Sequence, residues 1–156
     1  MCGIIGIVSK NEVVSRLIDG LECLEYRGYD SSGVATVNKE EIFYSKSIGK
    51  LISLKNKLKH NTTDGCVGIG HTRWATHGEP TEINAHPHVT KNVAVVHNGI
   101  IENFAEIKNE LMKKGVRFNS QTDTEVIANL VEEKISKEKC PPLEAVRLTS
   151  ERLLGS

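Results

Sequence analysis

Met1-Cys2-Gly3-Ile4-Ile5-Gly6-Ile7-Val8-Ser9 sets apolar, mostly β-branched residues around two glycines. That composition predicts a buried strand, and glycine inside a strand marks close approach of another backbone. A helix follows: Val13, Val14, Leu17, Ile18, Leu21 and Leu24 recur at i, i+3/i+4 spacing behind Asn11, a candidate N-cap. Tyr26–Gly33 is rich in turn formers. Gly33–Val37 and Glu41–Lys46 read as two strands around a polar turn at Asn38–Glu40, and Lys50–Lys59 as a short basic amphipathic helix.

Cys66–Thr72 is another apolar strand with glycines, and Arg73–His88 is a loop broken by Gly78, Pro80 and Pro87. Asn92–His97 reads as a buried strand ending at the turn dipeptide Asn98-Gly99. Three helices are expected after it. Glu102–Lys114 is closed by Gly115, a second is capped by Thr122 or Asp123 and runs to Ile135, and Pro141-Pro142 opens the third. Strand, helix, strands, helix, strands, helices is an α+β order with local strand pairing, or a layered sandwich. No internal repeat, low-complexity segment or linker interrupts it. About five strands are visible, few for so many apolar helix faces, and the sequence stops at Leu153-Leu154-Gly155-Ser156 just after a helix.

The 156 residues suit one domain, able to bury ~70% of its unfolded surface. Twenty Lys+Arg balance twenty Asp+Glu, which argues against a nucleic-acid or membrane-surface partner. With 26% charged and 38% hydrophobic residues the composition is globular, not disordered. No apolar run approaches the roughly 18 residues of a membrane span, and the N-terminus has no signal-peptide features. The expected location is the cytoplasm. Cys2, Cys23, Cys66 and Cys140 form no CxxC pair and are expected as free thiols.

Four groups of residues carry possible chemistry. Cys2 precedes the small Gly3; with Met1 excised it carries a thiol and an α-amine on one residue. The amine, with an ordinary pKa of about 8, suits a general base for the thiol. The plainer alternative is an ordinary buried Cys. Asn98 and Gly99 offer a side-chain N–H and a backbone N–H at a strand end, as an oxyanion hole requires, although Asn-Gly is a common turn. Arg73 and Asp123 could take the carboxylate and ammonium of a free α-amino acid, or be a surface Arg and a helix cap. Trp74, the sole Trp, sits in the loop and could close over a thioester or simply anchor the loop. His71, His77, His86, His88 and His97 show no zinc-type spacing, and Gly65, Gly68 and Gly70 are not followed by the Gly-Lys-Ser/Thr of a phosphate loop.

Met1-Cys2-Gly3-Ile4-Ile5-Gly6, Tyr26-Arg27-Gly28-Tyr29-Asp30-Ser31-Ser32-Gly33 and Gly70-His71-Thr72-Arg73-Trp74-Ala75-Thr76-His77-Gly78 occur in this order. Asn84-Ala85-His86-Pro87-His88, His97-Asn98-Gly99-Ile100-Ile101-Glu102-Asn103 and Thr122-Asp123-Thr124-Glu125 follow them. As a set they resemble the class II, N-terminal-nucleophile glutamine amidotransferases over nearly the whole chain. Within that class the similarity is greatest to the isomerising glutamine–fructose-6-phosphate aminotransferases. The phosphoribosyl type tends to show Gln-Glu-Ser after its Arg-Gly, and asparagine synthetases Arg-Gly-Pro-Asp.

The resemblance implies a four-layer α/β/β/α sandwich and a role for each matching residue. Cys2 is the nucleophile and its α-amine the base; Asn98 and Gly99 form the oxyanion hole; Arg27 supports the N-terminal Cys. Arg73 holds the glutamine carboxylate and Asp123 its α-amine, Thr76 and His77 line the pocket, and Trp74 helps close the loop. It implies no metal and no cofactor. Residues 1–156 would be one partial glutaminase domain, because the family's domain runs well past 200 residues and the two sugar isomerase domains that bind fructose-6-phosphate are absent. Full-length members are expected to be homo-oligomers. The alternatives are a glutaminase of the phosphoribosyl type and an inactive glutamine-binding fragment.

Overall fold

A computed structural model describes residues 1–60, 64–75 and 78–155. Its first half is built on four strands: β1 (Gly3–Val8), β2 (Ser31–Asn38), β3 (Glu41–Ile48) and β4 (Val67–Arg73). They form one antiparallel sheet in the order β1-β4-β2-β3, so β4 crosses over to lie between β1 and β2. Gly3 pairs with Thr72, and Ser31 with Arg73, so the starts of β1 and β2 meet the end of β4 at one end of the sheet.

One face of this sheet is covered by α1 (Val14–Leu24) and α2 (Leu51–Leu58). Leu17, Ile18 and Leu21 of α1 and Leu51 and Leu54 of α2 close with Val13 and Val34 into a buried cluster, with Ile5 and Ile7 packed against it. The helical spacing of α1 thus buries the stripe that the sequence indicates. Its start differs from expectation. Asn11 is not the cap; the Glu12 carboxylate accepts the Val14 N–H at 2.6 Å. A carboxylate caps α2 as well, since Glu25 accepts the Leu51 N–H at 2.8 Å, where negative charge also complements the helix dipole. β1 is an edge strand, not a buried one: Ile5 and Ile7 face the helices, whereas Ile4 and Val8 on the other face are exposed.

The second half carries β5 (His88–Val89), β6 (Ala94–Val95), α3 (Phe104–Lys113), α4 (Glu125–Ser136) and α5 (Pro142–Ser150). Pro142 stands at the helix start, where its missing N–H costs nothing. Ile101, Ile107, Leu111, Val126 and Leu130 form a separate core beneath these helices. The strand expected over Asn92–His97 shrinks to β6 because its ends bond elsewhere. Asn92 gives its backbone and side-chain amides to Glu132, both at 2.8 Å, and the His97 N–H goes to a histidine ring. Ala35, Val37, Val67 and Ile69 of the large sheet share a cleft with Ala94 of β6, so the two sheets lie between the two helical layers. The architecture is α+β and layered as α/β/β/α, in agreement with the expected sandwich. No described helix is long and apolar enough to cross a membrane.

Candidate active site

Cys2 stands immediately before β1, beside the end of β4. Its Sγ receives the backbone N–H of Trp74 at 3.5 Å and lies 3.9 Å from the Trp74 carbonyl oxygen. Its backbone nitrogen donates to Asn98 Oδ1 at 3.5 Å. That amide orientation turns Nδ2 of Asn98 away from the nitrogen and leaves it as a donor. Met1, Cys2, Arg73, Trp74, Asn98, Gly99 and Asp123 line one small cavity of about 70 Å³, along with three histidines and Thr122 and Thr124. Residues spread over more than a hundred positions therefore converge on the sulfur.

Arg73 ends β4 and is only 4% exposed. Its guanidinium donates to the carbonyls of Glu79 at 3.2 Å and Gly78 at 3.3 Å, so the following loop curls back over it. Burial lowers its pKa, opposed by the nearby Cys2, Asp30 and Asp123. Asp123 does not cap α4. Its Oδ2 accepts the Ile101 N–H at 2.7 Å, tying the α4 entrance to the segment just after Gly99. Trp74 is 43% exposed, and its indole meets Tyr29 edge-on with ring centroids 5.5 Å apart. Arg27 lies against Met1, its NH2 group 3.6 Å from the Met1 sulfur. Thr76 and His77 lie outside the described residues.

Two supports carry no assigned role in the sequence reading. Asp30 accepts the Ala75 N–H at 2.8 Å through Oδ2 and gives its own N–H to the Arg73 carbonyl at 3.0 Å. It therefore grips the chain on both sides of Trp74. A side chain at Gly28 would stand 2.6 Å from the Arg73 carbonyl carbon, so only glycine admits this approach. An Asp just ahead of a strand in a turn-rich stretch was the available signal.

The second support is a row of buried histidines. His71 and His86 stack with centroids 4.3 Å apart and planes inclined by 20°, and His88 meets His86 edge-on at 4.7 Å. Burial holds all three neutral, pushing His71 and His88 down to about 3 and His86 well below its usual value. His88 Nε2 is 2.8 Å from Thr122 Oγ1. All four cysteines are free thiols. Among the described residues no three His, Cys, Asp or Glu side chains are grouped to hold a metal ion.

The chain is similar to known proteins in sequence and in fold. A family described as "Glutamine amidotransferase domain" matches residues 45–140. The chain is 54% identical over all 156 residues to a glutamine–fructose-6-phosphate aminotransferase [isomerizing] of Mesorhizobium japonicum, and 54% identical to that of Bartonella quintana. It spans 26% of the length of each. Among solved structures, glutamine phosphoribosylpyrophosphate amidotransferase from B. subtilis superimposes with a TM-score of 0.82. The match covers 99% of this chain and 33% of that one at 24% identity, a likeness of fold. A structure titled as the allosteric regulatory enzyme of purine biosynthesis gives 0.83 at 25% identity, covering 100% of this chain and 34% of that one.

Proposed function

This chain belongs to the glutamine amidotransferase domain family, and from that premise we propose that it hydrolyses the side-chain amide of glutamine through a Cys2 thioester. The observation that carries the reading is the shared cavity: Cys2, Asn98, Gly99, Arg73 and Asp123 all line it. With Met1 removed, the nitrogen now 3.5 Å from Asn98 Oδ1 becomes an α-amine able to take the thiol proton. Sγ then bonds to the amide carbon, and its carbonyl oxygen becomes an oxyanion held by Asn98 Nδ2 and the Gly99 N–H. The amine passes its proton to the leaving nitrogen as the C–N bond breaks, and ammonia departs. Water, deprotonated by the same amine, hydrolyses the thioester to glutamate.

Arg73 and Asp123 hold the α-carboxylate and α-ammonium, with Thr76 and His77 completing the pocket and Arg27 supporting the N-terminal residue. In the longer relatives the ammonia would pass to fructose-6-phosphate to give glucosamine-6-phosphate. The 54% identity to those enzymes supports this acceptor over the phosphoribosyl one, whose likeness here is one of fold. Residues 1–156 are accordingly read as part of a glutaminase domain, the acceptor-binding isomerase domains belonging to the remaining three-quarters of such a protein. A cytoplasmic location and homo-oligomeric full-length assembly belong to the same proposal. Glutamate release by the purified chain, with Met1 removal checked by intact mass, tests it. Turnover lost in Cys2→Ala supports the reading. Glutamine binding without turnover in the Met1-free chain would reduce it to a binding module.

A further inference from the structure

His97 precedes Asn98, and both polar groups of its backbone are held by buried imidazoles. Its N–H donates to His86 Nδ1 at 3.2 Å. Its carbonyl accepts from His71 Nε2 at 3.3 Å. The two rings doing this are the stacked pair, His71 within β4 and His86 in the loop before β5, fully and 95% buried respectively (0% and 5% exposed). These bonds fix the tautomers. A carbonyl only accepts, so Nε2 of His71 carries the proton and Nδ1 does not. An N–H only donates, so Nδ1 of His86 is bare and its proton is on Nε2. The His71 Nδ1 left over is buried with no partner among the described residues. A further contact holds the same residue, since the His97 ring lies 3.2 Å from Thr124 Oγ1 at the α4 entrance.

The carbonyl that His71 holds belongs to the peptide plane joining His97 to Asn98. That plane fixes the place of the Asn98 Cα, from which both the Asn98 side chain and the next peptide, with the Gly99 N–H, project. We propose that His71 and His86 are a pair of positioning residues, clamping the His97 backbone so that the oxyanion donors Asn98 and Gly99 face the Cys2 sulfur. This rests on the glutaminase reading of Asn98 and Gly99. His86 must be neutral to act, because a proton on its Nδ1 would set two N–H groups against each other. Burial of His86 supplies that condition, and His71 stacks on it with ring centroids 4.3 Å apart.

Isosteric variants test the clamp in the Met1-free chain. The Gln side-chain nitrogen reaches the place of His Nε2, and the Asn side-chain oxygen the place of His Nδ1. His71→Phe and His86→Phe keep an aromatic stack but lose the bond. Each is expected to lower kcat by about 10- to 100-fold, less than the roughly 100- to 1000-fold of outright loss of an oxyanion donor, with KM nearly unchanged. Alkylation of Cys2 by iodoacetamide, which needs no oxyanion hole, should proceed at the wild-type rate. His71→Gln and His86→Asn should recover most of kcat. A His71→Phe enzyme with full kcat, or a His71→Gln enzyme no better than it, overturns the proposal. Imidazole nitrogen NMR on the wild-type chain decides independently of activity: Nε2–H tautomers at both His71 and His86 are expected, and an Nδ1–H form at either overturns it. Wild-type chain without turnover counts against the glutaminase reading alone, since the tautomers still judge the clamp.

Discussion

Trp74 points its backbone N–H at the sulfur of Cys2 across 3.5 Å, although the two residues are 72 positions apart. The contact exists because Gly3 pairs with Thr72, which sets Cys2 beside the end of β4 at Arg73, one residue from Trp74. The nucleophile is therefore located by sheet register, and the loop that carries Trp74 inherits its position from the same ladder.

Cys2→Ala removes the only thiol among the described residues that line the cavity. Glutamate release should fall to background, while glutamine binding measured by calorimetry stays within a few-fold of wild type, about 1 kcal/mol or less. Turnover surviving in this variant would end the thioester mechanism.

Arg73→Lys replaces a planar fork by a point charge. The fork also supports the Gly78 and Glu79 carbonyls, so the pocket loop loosens as well. The expected result is a rise in KM of roughly 10- to 100-fold, equivalent to about 1.5–3 kcal/mol of charged hydrogen bonding, with a smaller change in kcat. Steady-state kinetics measure both, and an unaltered KM would take Arg73 out of the substrate site.

Asp30→Ala leaves the Ala75 N–H without its charged acceptor. The loss should cost about 1.5–3 kcal/mol. Amide exchange at Ala75 should speed up while exchange in α4, built on the second core, stays as it was. Equal acceleration everywhere would mean a global rather than a local support.

The buried histidines predict a pH dependence of stability. Unfolded His71 and His88 take protons near pH 6.5, but folded they resist until about 3. Between those values the unfolded state binds more protons, so stability falls as the solution is acidified below about 6.5. Each contributes a loss of about 2 kcal/mol by pH 5, at 1.36 kcal/mol per unit, and His86 adds in the same direction. The facing charges divide: Lys46 and Arg73 oppose protonation of His88, and Asp123 favours it. Urea midpoints at pH 7 and pH 5 measure the slope. His88→Asn should flatten it, and a wild-type midpoint independent of pH over this range would contradict the burial argument.

Leu17→Ala and Leu21→Ala each empty a fully buried site between α1 and the large sheet. A loss of about 2–5 kcal/mol is expected for either in chemical denaturation.

Much of this was legible beforehand. Leu17, Ile18 and Leu21 declare a helix face by spacing alone, and the apolar, glycine-containing run Cys66–Thr72 declares a strand that falls within one residue of β4 at each end. The family motifs brought Cys2, Arg73, Asn98 and Asp123 together before any coordinates. What escaped depends on partners distant in sequence. The run from Ile4 to Val8 is apolar throughout, so nothing in it separates an edge strand from a central one. The α1 and α2 caps come from Glu12 and Glu25, neither at the N-cap position. Asn92 and His97 read as strand ends, yet their amides serve Glu132 and His86. The stacking of His71 on His86 arises only when the loop before β5 settles on β4, and Gly33 permits that descent: a Cβ there would sit 2.2 Å from the His86 carbonyl oxygen.

The large sheet also has an opposite end. Val8, Val67 and Val37 lie there, far from the paired Gly3–Thr72 and Ser31–Arg73 rows, and the hairpin of β2 and β3 closes beyond them through Lys39 and Glu40, both with left-handed backbone. That tip is a handle. A fluorophore, an affinity peptide or a surface-tethering group introduced between Asn38 and Glu41 would leave the nucleophile's terminus unblocked, which an N-terminal fusion never can.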